Sequence, residues 1–165
     1  MKPIVLILAA LPLFAQQQIR WAATTGDVVI SAAYTATIQQ PATNQSQVHL
    51  DQIVVYGSAA CSVTQAANGS AATTTAGTVT PILPTGLAVP VPVNFFTASN
   101  VGAGTAQGGA VHIAAGATVV LCFTASCGNP AEVILGSGQG AAANYSVTIG
   151  SVSATVNITY YGRAQ

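Results

Sequence analysis

The segment Ser151-Val152-Ser153-Ala154-Thr155-Val156-Asn157-Ile158-Thr159-Tyr160-Tyr161 decides the fold. Val152, Ala154, Val156, Ile158 and Tyr160 recur at every second position, and Ser153, Thr155, Asn157, Thr159 and Tyr161 fill the gaps. A period of two sends the two sets to opposite faces of an extended chain, so the segment reads as a half-buried β-strand. Just upstream, Tyr145, Val147 and Ile149 alternate with Ser146 and Thr148. Gly150-Ser151 separates the two runs, a two-residue link that suits a type II′ hairpin.

The same alternation recurs towards the N-terminus. Val28, Ile30, Ala32, Tyr34, Ala36 and Ile38 stand opposite Ser31, Thr35 and Thr37. Val48 to Tyr56 holds Leu50, Ile53, Val54 and Val55, so both faces of that strand are expected to be partly covered. Cys61 to Gln65 continues it past a bend at Gly57-Ser58. Val79 to Leu83 and Leu87 to Phe96 contain Pro81, Pro84, Pro90 and Pro92. Proline has no N–H to give a ladder, which makes these edge strands or extended connections. Ala110 to Ile113, Ala114 to Ala117 and Thr118 to Phe123 read as strand, tight turn and strand, and Glu132 to Leu135 as one more short strand. Loops rich in Gly, Ala, Ser and Thr fall at 66–77, 98–109 and 136–143. No 3.6-residue apolar period is sustained anywhere. About nine or ten short strands with turn signals between them predict an all-β fold, a single antiparallel β-sandwich of jelly-roll or other Greek-key type. Trp21 precedes every cysteine, which excludes the Cys-Trp-Cys core of immunoglobulin domains.

The chain divides into three parts. Residues 1–15 read as a signal peptide: Lys2 near the start, an apolar run from Ile4 to Phe14, and a small residue, Ala15, before Gln16-Gln17-Gln18. The run matches the apolar stretch of 7–15 residues in export signals, and it falls short of the roughly 20 needed to span a bilayer. Residues 16–26 form an N-terminal arm or a first strand, and 27–165 the sandwich. The expected location is outside the cytoplasm: secreted, periplasmic or on the cell surface, with no membrane span in the mature chain.

Composition then narrows the function. Hydrophobic residues make up 51% of the 165 and charged residues only 4%, with a formal net charge of zero. Soluble domains average about 25% charged residues. Nucleic-acid binding needs clustered Lys and Arg, and so does attachment to anionic lipid; both are excluded. Once residues 1–15 are removed, the charged groups are Arg20, Asp27, Asp51, Glu132 and Arg163. Ser, Thr, Asn and Gln must do the solvating.

Three cysteines in an exported chain leave one without an internal partner. Cys122 and Cys127 can close a small loop at a strand end; Cys61 with Cys122 is the rival pairing. His49 and Asp51 lie two residues apart, hence on one strand face, a weak polar pair that could orient a general base. A polar patch on the outer sheet is the simpler reading. His112 stands alone between Val111 and Ile113 and points away from both. No G-x-S-x-G elbow and no metal-ligand spacing occur, and Gly136-Ser137-Gly138-Gln139-Gly140 lacks the Lys of a phosphate loop, so no cofactor is expected. Asn44, Asn68, Asn144 and Asn157 begin N-glycosylation sequons.

Natural sheets guard their edges with charge, and this chain has almost none to spend. The expected function is therefore that of a secreted, non-catalytic structural or cell-surface protein. It packs into an extracellular assembly through self-association or contact with other surface proteins, or acts as an adhesin-like module. Two alternatives stand beside it. A carbohydrate-binding module would stack glycan on Trp21, Tyr56, Tyr160 or Tyr161. A small hydrolase would use His49, Asp51 and Glu132.

Overall fold

Alternating apolar residues produce a two-layer β structure in the computed structural model, which describes residues 18–41, 47–67, 75–82, 93–97, 104–127, 132–136 and 144–164. The expected signal peptide, the Leu83 to Pro92 stretch and the sequons at Asn44 and Asn68 lie outside these residues. In chain order the first strands are β1 (Ile19–Thr24), β2 (Val28–Ile30), β3 (Tyr34–Gln39), β4 (Val48–Gly57) and β5 (Cys61–Ala67). Then come β6 (Thr75–Ala76), β7 (Val79–Ile82), β8 (Asn94–Thr97), β9 (Thr105–Ala106) and β10 (Val111–Ile113). The last are β11 (Ala117–Cys122), β12 (Val133–Leu135), β13 (Asn144–Ile149) and β14 (Ala154–Ala164), with one 3-10 turn at Ala125–Cys127.

All pairings are antiparallel. One sheet runs β11-β4-β14-β1-β7, with β12 continuing the β11 edge beside β4 and β2 continuing β1 beside β14. The other runs β10-β5-β13-β3-β8-β6, with β9 beside β5. Besides the two-residue step 77–78 between the edge strands β6 and β7, four links of three or four described residues join the sheets: 31–33, 58–60, 114–116 and 150–153. Three or four residues just span the roughly 10 Å between packed sheets. Each link therefore stacks its two strands one above the other: β2 on β3, β4 on β5, β10 on β11, β13 on β14. Both sheets keep these pairs in the same order, which is the wrapping of a jelly roll. All four links lie at one end, where Ile30 faces Ala154 and Gly57 faces both Val156 and Ala117. The β-sandwich expected from the alternation is the fold observed.

The hairpin expected at Gly150-Ser151 does not form. β13 and β14 belong to different sheets, and the Gly150 amide donates to the Ser62 carbonyl of β5 at 2.9 Å. Alternation fixes which face is buried, and a strand that turns back beside its predecessor buries the same face as one that crosses over it. The run from Val28 to Ile38 is likewise not one strand: it folds over at 31–33 while keeping Ile30, Tyr34, Ala36 and Ile38 buried.

β14 is buried at every second residue from Ala154 to Ala164. The pattern in β4 slips by one residue. Tyr161 pairs with Gln52 but Gly162 pairs with Leu50, so Asp51 is the extra residue of a β-bulge. The bulge lets Leu50 and Ile53 both face the core, which explains the crowded apolar pattern of that strand. On its other side, β4 changes partner at the same place, from β11 up to Gln52 to β12 from Leu50 downward. Trp21, Tyr145, Tyr160 and Phe95 are the largest fully buried side chains. Phe95 meets Tyr160 edge-on at 5.7 Å between centroids, and Phe123 meets Tyr145 at 5.4 Å.

Candidate functional site: an ion cluster on an open sheet face

The bulge gathers most of the charge beyond residue 15. His49, Arg163 and Arg20 form one cross-strand row on the outer face of β4, β14 and β1. Asp51 leaves the bulge towards that row, and Glu132 reaches it from the residue before β12. Arg163 forks between the carboxylates of Asp51 and Glu132. Glu132 also bonds His49 Nδ1 at 2.7 Å. A carboxylate only accepts, so Nδ1 carries the proton in this contact. Burial pushes the Asp51 carboxyl above the usual carboxylate range, against the opposing pull of Arg163, Arg20 and His49. The Asp51 backbone carbonyl also takes the amide of Phe123, tying the bulge to the loop closed by Cys122 and Cys127.

Sequence reasoning placed His49 with Asp51. The structure gives His49 to Glu132 and Asp51 to Arg163. The bulge is the reason, because it turns Asp51 away from the simple two-residue register. Arg163 was the missed member. Its position on the polar face of β14, level with His49, was the available signal. His49 is buried, and its Nε2 has no hydrogen-bond partner. An imidazole held at Nδ1 by a carboxylate resembles the oriented base of a catalytic triad, but here the nitrogen that would take the proton is enclosed and bonded to no hydroxyl. His112 lies in the other sheet on the edge strand β10, exposed beside a shallow hollow of about 380 Å³ shared with Ser62, Cys61 and Ser151. The two imidazoles do not converge.

The four candidate stacking aromatics divide. Trp21 and Tyr160 are fully buried, which corrects their reading as ligand platforms; both fall on the inward parity of their strands. Tyr160 Oη donates to the Ala36 carbonyl at 2.7 Å and accepts the Val147 amide at 3.1 Å, bolting one sheet to the other. Tyr56 and Tyr161 are half-buried on the outer face. Tyr56 is level with Asn157, four residues along β14 from Tyr161, so the rings are about 14 Å apart in register and form no common platform.

Cys122 and Cys127 stand at disulfide distance, Cα to Cα 6.1 Å, while Cys61 is free and buried in the core, against the rival pairing. Burial also pushes the Cys61 thiol up, away from its reactive thiolate form. Two sequons sit badly for sugar: Asn144 is buried, and the Asn157 side-chain amide donates to Asp27 at 3.0 Å. Among the described residues, no group of His, Cys, Asp and Glu is arranged to hold a metal ion, and no helix is long and apolar enough to cross a membrane. Comparison with protein-family models, curated proteins and solved structures finds no match.

Proposed function

We propose that this is a secreted, non-catalytic structural or cell-surface protein whose sandwich packs against neighbours in an extracellular assembly. The observation that carries the reading is the distribution of charge. All five ionic side chains beyond residue 15 lie on or beside one sheet face, and four of them crowd around a single bulge. The described residues of the second sheet include no Lys, Arg, Asp or Glu. On its outward parity hydroxyls bond one another: the half-buried Thr35 and Thr148 at 2.7 Å, and Thr37 with Ser146 at 3.0 Å, both buried. Edge strands β10 and β11 are free of charge as well, and Val120 on β11 is 54% exposed. Charged edges are the usual protection against pairing with another chain, and these edges lack it.

The rival readings draw less support. A glycan platform is left with Tyr56 and Tyr161 on separate rows. A hydrolase would need His49 Nε2 open to substrate. The test is immunogold labelling of cells that make the protein. Label in continuous arrays outside the cell supports the reading; label confined to the cytoplasm, or protein free in the medium only as single copies, overturns it.

A further inference from the structure

The two outer faces of the sandwich are unlike each other. Among the described residues three large hydrophobic side chains are exposed: Val29 at 83%, Val120 at 54% and Ile82 at 50%. All three fall on the face that carries the ion cluster. Val29 is level with Thr155, Val120 with Val54 and Ile82 with Arg20, each on the outward parity of its strand. Tyr56, Tyr161, Thr159 and Thr24 lie between them.

Two charges on this face stand outside the cluster's ion pairs. Arg20 is exposed and has no ion-pair partner among the described residues; directly across it is Arg163, a like charge already engaged by two carboxylates. Asp27 is exposed too, and its hydrogen bond comes from the neutral Asn157. β1 and β2 follow one another along the same side of β14, so Arg20 and Asp27 occupy a single column. Arg20 is level with Arg163 and Asp27 with Asn157, about 20 Å apart at strand rise.

That placement is self-complementary. Take a two-fold axis between two stacked faces, running across the strands at the level of Tyr160. It reverses the strand direction and keeps the column, so Arg20 of each copy meets Asp27 of the other. It also brings the two Val120 side chains within about two residues of each other across the interface. The face is five strands wide and 11 residues long at β14, on the order of 800 Å², the share each partner contributes to a standard interface. We propose that this face is a homodimer interface, two copies lying face to face with antiparallel strands and two Arg20–Asp27 pairs. The inference rests on the reading of the protein as self-associating and names the surface that does it.

Sedimentation equilibrium of the purified protein tests it. Wild type dimerises. Arg20→Asp sets two carboxylates together at each contact and Asp27→Arg two guanidinium groups, and each single change weakens the dimer at least about 10-fold. The double variant Arg20→Asp/Asp27→Arg restores wild-type affinity to within about 3-fold, the signature of a direct pair. Near-UV circular dichroism confirms that each variant is folded, and Val120→Asp gives a second, uncoupled disruption. Association that is indifferent to all three single changes, or disruption that the double variant does not repair, overturns this interface and leaves the assembly reading standing. A wild type that stays monomeric overturns both.

Discussion

Tyr160 shows how much one buried hydroxyl can hold. It sits on β14 of one sheet, accepts the amide of Val147 and donates to the carbonyl of Ala36, both in the other sheet. Tyr160→Phe keeps the ring and leaves a buried donor and acceptor without this partner, a loss of about 1–3 kcal/mol in denaturant unfolding. Asp51 gives a prediction of the opposite kind. Burial raises its carboxyl, so folding favours the protonated form. The sign follows: the Asp51 contribution to stability is fully present below the unfolded-state value of about 3.9 and is lost as pH rises through the higher folded-state value. Chemical denaturation from pH 3 to 7 should show wild type losing stability relative to Asp51→Asn as pH rises; a gain would contradict the burial argument. At this scale the sequence was legible where parity decides and silent where partners do. The outward placement of His49 and the inward placement of Tyr160 both follow from alternation, yet the choice of Glu132 over Asp51 as the partner of His49 depends on a bulge that the sequence marks only by the three-residue step from Leu50 to Ile53.

Gly162 belongs to the scale of elements, because it is where β1, β14 and β4 fit together. A Cβ there would overlap the Trp21 ring and the His49 carbonyl oxygen. The indole packs against a position that only glycine can leave open, directly opposite the bulge. Gly162→Ala should therefore cost about 1–3 kcal/mol by overpacking. Gly26→Ala offers a contrast: its left-handed φ of 64° strains any side chain, although nothing lies within 4 Å of the added carbon. The strands themselves were readable: β13 and β14 coincide closely with alternating runs, β3 with the second half of one, and β4, β5 and β11 with expected strands of less regular pattern. Their connections were not. Gly150-Ser151 looks like a hairpin turn by composition, but the turn residues that close a hairpin also serve a crossing between layers. What separates the two is where the link's amides bond, here Gly150 to Ser62 of a strand far away in sequence.

For the whole molecule the scarcity of ions is itself a physical property. Stability depends on pH only through groups that bind protons differently in the folded and unfolded states, and few such groups exist here. Surface repulsion, which keeps most soluble proteins apart, is equally small at zero net charge. The β-sandwich was an expectation that the period of two could support. The contrast between the two outer faces was not legible, because it depends on which strands lie side by side. Static light scattering of the purified protein, at rising concentration and in 0.05 to 1 M salt, measures the central claim most directly. An exterior shaped for contact predicts a mass above one chain that grows with concentration and persists in high salt, with apolar and hydroxyl faces outweighing the two charge pairs. A mass of one chain throughout, with strong mutual repulsion, would contradict it.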